Sequence, residues 1–141
     1  MAATYNILCL DIGKSRIGVA IADSSVKLPR PLKTIYNQTD VLDRIEQLIL
    51  ENDVKVLVLG LPRSLDAQET NQTKYVRDFQ KKLSRRISLP IHLEDEALSS
   101  VRAKEDLEKS KKPFSKEDID ALAACFILED FISNNVELVN A

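Results

Sequence analysis

Near the start of the chain two continuously apolar runs, Ile7 to Leu10 and Ile17 to Ala22, are separated by only the six residues Asp11 to Arg16. Short apolar runs bounded by polar residues read as buried strands, and six residues are too few for a crossover helix. The chain therefore opens with an antiparallel hairpin of buried strands. Pro29 and Pro31 interrupt regular pairing before Leu32 to Tyr36, which reads as a third, edge-like strand. Thr39 or Asp40 can cap a helix whose apolar positions Val41, Leu42, Ile45, Leu48 and Ile49 keep helical spacing through Glu51. The run Val54 to Leu59, ending at Gly60, is a strand apolar on both faces.

From about Gln68 to Arg86, Val76, Phe79 and Leu83 form one apolar stripe on a polar helix. Pro90 leads into a short strand at Ile91 to Glu94, and helices follow at Ser99 to Lys109 and Ser115 to Ile132. Ser115 and Asp118 stand at capping-box spacing, and Lys111, Lys112 and Pro113 separate the two helices. The order implies one α/β domain over residues 1–141, with a mixed five-stranded sheet. Its first three strands are antiparallel, its later ones parallel, and helices cover both faces. No repeat, low-complexity segment or linker interrupts it.

Composition narrows the chemistry. His92 is the only histidine, and Cys9 and Cys125 are the only cysteines. A four-ligand Cys/His zinc site and a disulfide framework are excluded, and any histidine-assisted nucleophile would depend on one imidazole. Carboxylates remain. Twenty Lys and Arg stand against 22 Asp and Glu, so nucleic-acid binding would have to come from local patches rather than a global positive field. No apolar run approaches the ~20 residues that span a bilayer, and no basic-then-apolar leader opens the sequence. The expected setting is the cytosol, with no membrane partner.

Three acidic features lie far apart in sequence. Asp11-Ile12-Gly13 follows the first buried strand, at the sheet edge where open α/β folds bind ligands. The plain alternative is a turn aspartate bonding its own backbone. Glu94-Asp95-Glu96 ends a later strand, where alternation puts Glu94 and Glu96 on one face and Asp95 on the other. The alternative there is a solvated loop. Asp120 falls inside the apolar arc of the last helix, about 160° from Asp118. A carboxylate there must be paired, protonated or bound to a cation, and a salt bridge to a Lys or Arg of another element would also answer. Asp11, Glu96 (or Asp95 or Glu94) and Asp120 could thus meet at one rim. Hard oxygen ligands suit Mg²⁺ or Mn²⁺, and two such ions about 3.5 to 4 Å apart can drive phosphodiester hydrolysis without histidine.

These motifs carry a resemblance. L-C-L-D-I-G-K-S-R-I-G-V-A-I-A-D, from Leu8 to Asp23, is similar to the opening signature of the YqgF/RuvX family. Val58 to Asp66 resembles its central motif, Asp95-Glu96 its D-E motif, and Ile119 to Ala124 its last helix. The resemblance implies an RNase H-like fold and a Mg²⁺- or Mn²⁺-dependent nuclease, described both as a Holliday junction resolvase and as the enzyme maturing the 5′ end of pre-16S ribosomal RNA. It carries the family's acidic triad to Asp11, Glu96 and Asp120 as metal-binding and catalytic residues. Ala97 replaces the arginine that commonly follows D-E, and Ala67 a glycine after the central aspartate. One phosphate contact and one loop therefore differ.

Lys14, Arg16 and Arg63 stand beside the carboxylate edge as candidate phosphate contacts. The runs Lys81, Lys82, Arg85, Arg86 and Lys109, Lys111, Lys112 could track a nucleic-acid backbone or simply solubilise. With Tyr5, Tyr36 and Tyr75 the only tyrosines and no Trp, no base-stacking platform is evident. The expected partner is precursor rRNA, with branched DNA second, acted on by a monomer or weak homodimer. Two other readings compete. One is a nucleic-acid or pre-ribosome binding module with little catalysis. The other is a phosphate-binding ATPase of the actin and sugar-kinase type, against which the short chain weighs.

Overall fold

Alternation in the buried strands makes two cores, one on each side of a single sheet. The computed structural model describes residues 4–62, 68–96 and 99–135. Their elements are β1 (Asn6–Ile12), β2 (Arg16–Asp23), β3 (Arg30–Tyr36), α1 (Val41–Glu51), β4 (Val54–Leu61), α2 (Asn71–Ser84), β5 (Ile91–Asp95), α3 (Ser99–Lys109) and α4 (Lys116–Asn134). The sheet order is β3-β2-β1-β4-β5. β2 runs antiparallel to β1 and β3, while β4 is parallel to β1 and β5 to β4. The expected mixed sheet is borne out. Pro31 lies within β3, at an irregularity in its pairing with β2, as an edge strand allows.

Leu8, Leu10, Val19, Ile21, Leu57 and Leu59 point to the face covered by α1 and α2, where Ile45, Leu48, Val76, Phe79 and Leu83 meet them. Ile7, Cys9, Ala20, Ala22 and Val58 point to the other face, against Ala124, Ile127, Leu128 and Phe131 of α4. α3 packs on the outer side of α4, where the Arg102 guanidinium lies 4.4 Å from the Phe126 ring centroid and forms an ion pair with Asp130 at 3.5 Å. With the sheet on one side and α3 on the other, α4 buries most of its circumference.

The helix starts are chemically specified. Ser115 Oγ accepts from the Asp118 amide while Asp118 Oδ2 accepts from the Ser115 amide, the expected capping box. Thr70 and Thr73 make the same reciprocal pair at α2, so that helix begins three residues later than its polar lead-in suggests. Asp40 occupies the cap position of α1 without a capping bond, and its carboxylate instead takes Arg44 Nε at 3.1 Å.

Candidate active site

The parallel strands β1, β4 and β5 end at the same rim, and the Glu96 amide donates to the Leu61 carbonyl at 3.0 Å, tying the end of β5 to β4. On β1, Asp11 lies on the α4 face, opposite Gly18 of β2. On β5, the Glu94 and Glu96 side chains also reach toward α4 and its face, as alternation requires. Glu94 Oε2 accepts from Asn134 Nδ2 of α4 at 3.0 Å, whereas Glu96 hydrogen-bonds with Asp11. Asp95 is exposed.

Gly18 brings in the third carboxylate. A Cβ at this position would lie 1.9 Å from the Asp120 carbonyl oxygen and 2.9 Å from the Ala121 nitrogen, so only glycine lets α4 cross β2 this closely. That crossing sets Asp120 next to the register partner of Gly18, Asp11. Asp120 is not bare: Arg16 Nε donates to its Oδ2 at 2.6 Å, with side-chain exposures of 29% and 21%. The helical arc placed Asp120 among buried neighbours; the structure leaves a fifth of its side chain open and supplies an arginine partner 104 residues away.

Electrostatics separates the three carboxylates. Burial pushes the Asp11 carboxyl well above the usual range, and the negative charges of Glu96 and Asp120 push it further. Burial also raises Glu96, opposed by hydrogen bonds from Ser99 and Asp11. Two adjacent half-buried carboxyls do not both ionise cheaply, and the upward push is greater on Asp11, which makes it the member of the pair that protonates more readily. Ser99, buried at the start of α3, donates its Oγ proton to Glu96 Oε1 at 3.1 Å. Burial raises the Cys9 thiol well above its ordinary value and takes Cys125 up to about 12, which leaves neither as a thiolate.

The β1–β2 turn is held from three sides. The Gly13 amide donates to the Arg16 carbonyl at 2.9 Å, Asn37 Nδ2 to the Gly13 carbonyl at 2.8 Å, and Gln72 Nε2 to the Ile12 carbonyl at 3.0 Å. Lys14 projects from this turn into solvent. Arg63, Ala67 and Ala97 lie outside the described residues. The basic run at the end of α2 is remote from the rim, because that helix returns to the opposite end of the sheet, and Arg86 there binds Asp43 and Glu46. Ser99, Asn37, Gln72 and the partnership of Arg16 with Asp120 carried no local sequence signal.

Among the described residues no three His, Cys, Asp or Glu side chains stand together as a ready metal cage. The donor chemistry nonetheless fits a hard divalent ion. Mg²⁺ needs only one or two protein carboxylates beside water and phosphate oxygens, and the adjoining Asp11 and Glu96 carboxyls, whose proximity favours a shared proton, are where a cation would take that proton's place.

The chain matches the family model RuvX, described as Holliday junction resolvase, over residues 5–134. It is 36% identical to a protein of Mycoplasma mobile named as a candidate pre-16S rRNA nuclease, over 90% of this chain and 91% of the relative. A like-named protein of Crocosphaera subtropica is 41% identical, over 89% and 90% of the two chains. Among solved structures, Thermus thermophilus RuvC is similar with a TM-score of 0.55 at 12% identity, covering 92% of this chain and 95% of that one. RuvC in complex with a Holliday junction substrate scores 0.54 at 13% identity, over the same shares. At such identity the likeness is one of fold, and the fold is RNase H-like. Among the described residues no helix is long and apolar enough to cross a membrane.

Proposed function

The chain belongs to the RuvX, Holliday junction resolvase, family, and from that premise we propose that it is a Mg²⁺- or Mn²⁺-dependent endonuclease acting in the cytosol on structured nucleic acid, with the 5′ side of pre-16S ribosomal RNA as its substrate. The observation that carries this reading is the half-buried, hydrogen-bonded Asp11–Glu96 pair at the strand-end rim, with Asp120 of α4 close enough to act on Asp11 through its charge. Asp11, Glu96 and Asp120 are the residues that would hold the ion, which when bound would polarise the scissile phosphate and lower the pKa of an attacking water. Holding the ion would require Asp11 to be ionised, so binding would compete with the proton that Asp11 and Glu96 favour sharing. Ser99 keeps Glu96 oriented through Oε1, and Arg16 keeps Asp120 oriented through Oδ2. Lys14 and Arg63 contact substrate phosphates, and Arg16 also reaches the backbone through the part of its side chain left open to solvent.

The pairing of Asp120 with Arg16 favours a second reading, a binding module of the same fold with little catalysis. One assay separates the two: labelled precursor rRNA and a branched DNA, each with Mg²⁺, Mn²⁺ or EDTA, against the wild type and the Asp11→Asn and Asp120→Asn variants. The nuclease reading expects metal-dependent cleavage that both substitutions abolish. Cleavage undiminished in both variants would overturn the metal site, and binding without cleavage under every metal condition would establish the module.

A further inference from the structure

Beyond the carboxylates, the same rim presents an aromatic ring that no motif singles out. Tyr36 ends β3 as the register partner of Arg16, and 48% of it is open to solvent, alone among the exposed large apolar side chains in being aromatic among the described residues. Its hydroxyl donates to Glu117 Oε1 of α4 at 2.9 Å, and the neighbouring Thr34 hydroxyl donates to the Glu117 carbonyl at 2.7 Å. The amide of the following residue, Asn37, donates to the Ser15 carbonyl at 2.9 Å. The ring is thus exposed yet held at its tip and at its backbone. An exposed tyrosine that is already immobilised loses little side-chain entropy on binding.

Its immediate surroundings are mixed in charge: Glu117 accepts from its hydroxyl, and Arg16, itself paired with Asp120, is the cation at its side. Arg16 stands directly beside it and close enough to interact with both Tyr36 and Glu117. Lys14 lies in the adjoining turn, and the exposed Lys111 and Lys112 lie on the loop leading into α4, a few residues before Glu117. An arginine beside a fixed aromatic face suits an unpaired nucleotide, whose phosphate finds the charge and whose base finds the ring.

Resting on the nuclease reading above, we propose that Tyr36 is a stacking subsite for an unpaired base of the RNA strand next to the bond placed at Asp11 and Glu96, with Arg16 holding the adjoining phosphate. The enzyme would then distinguish a single-stranded flank from a fully paired end. Binding of a base to Tyr36 positions the strand without touching the reacting atoms.

The test uses a fluorescein-labelled RNA hairpin with a short single-stranded 5′ overhang and the same hairpin made blunt, titrated in Ca²⁺ with the wild type, Tyr36→Phe and Tyr36→Ala. Tyr36→Ala should weaken the overhang complex by about 5- to 100-fold, the range that base–aromatic stacking supplies, and leave the blunt hairpin unchanged. Tyr36→Phe keeps the ring and loses only its hold on Glu117, so it should retain most of the overhang affinity, well above that of Tyr36→Ala. A 2-aminopurine in the overhang should be quenched by the wild type and Tyr36→Phe but not by Tyr36→Ala. Overhang binding by Tyr36→Ala equal to the wild type, an equal loss on both hairpins, or a loss in Tyr36→Phe as large as in Tyr36→Ala would each overturn the subsite. A wild type that binds with this pattern but cleaves nothing would defeat the nuclease reading and leave the subsite standing. Active cleavage with no response to Tyr36→Ala would do the reverse.

Discussion

Gly18→Ala tests the geometry that assembles the site, because one methyl group must displace backbone rather than a side chain. The new Cβ would sit 1.9 Å from the Asp120 carbonyl oxygen, about 1.5 Å short of the 3.4 Å at which ordinary contact begins. Neither β2, paired on both edges, nor α4, packed between the sheet and α3, can yield locally. The helix has to lift as a unit, opening a gap along Ala124, Ile127, Leu128 and Phe131. A gap of 0.5–1 Å already forfeits about a quarter to a half of the dispersion energy at such contacts, and overpacking by itself costs about 1–3 kcal/mol. A loss of about 3 kcal/mol or more follows, which for a domain of this size lowers Tm by roughly 10 °C.

The same lift carries Asp120 away from Asp11, and a misplacement of about 1 Å at a reacting centre costs on the order of 100-fold in rate. Urea unfolding and metal-dependent cleavage, measured on one preparation, should both respond. Gly60→Ala is the matched control: its Cβ would meet Ile127 Cδ1 at 2.7 Å, the far end of a side chain that can rotate, and Glu96 Oε2 at an ordinary 3.6 Å. Its cost should stay under about 1.5 kcal/mol. A Gly18→Ala protein with wild-type stability and wild-type cleavage, or one no worse than Gly60→Ala, would refute the claim that this crossing builds the site.

The proton held by Asp11 makes stability without metal depend on pH. A carboxyl whose folded-state pKa is raised favours folding while protonated. That contribution is complete below the unfolded value of about 3.9 and is lost as pH rises through the folded value. In EDTA, Asp11→Asn should therefore be more stable than the wild type at pH 8, with the gap closing toward pH 4, as urea midpoints at each pH would record; parallel curves would remove the shared proton. Added Mg²⁺ should stabilise the wild type more at pH 8 than at pH 5, since the ion must displace that proton, and should not stabilise Asp11→Asn to the same extent. Arg16→Ala should cost about 1 kcal/mol or less in stability, because both members of the Arg16–Asp120 pair keep contact with water. The slope of log affinity against log salt for RNA should fall by about 0.7 to 0.9 in that variant, and an unchanged slope would remove Arg16 from the phosphate contacts.

The legible part of the site is the part carried by strands. Asp11 and Glu96 follow from where apolar runs stop, and alternation alone separates Glu96 from Asp95. The side chain of Glu94, on the same face as Glu96, was left open by sequence and is drawn instead to Asn134. Asp120 stood out because a carboxylate on an apolar helical arc demands a partner, yet which partner was beyond reach: Arg16 is 104 residues away. Tyr36 shows the same limit: which tyrosine is exposed with its hydroxyl held at the rim depends on Glu117 of α4, 81 residues away.

Local sequence determined the periods, and with them the elements, the two faces of the sheet and the strand ends where carboxylates gather. It did so because side-chain direction along a strand or helix repeats every two or 3.6 residues, whatever lies elsewhere in the chain. The tertiary structure alone decided how closely and at what point α4 crosses β2, and therefore that Asp120 stands beside Asp11, that Arg16 holds it, and that Glu117 pins Tyr36. Those distances depend on the small residues Gly18, Ala20 and Ala22 meeting one particular helix face, a fit between surfaces that are separate in sequence and defined only once both are folded.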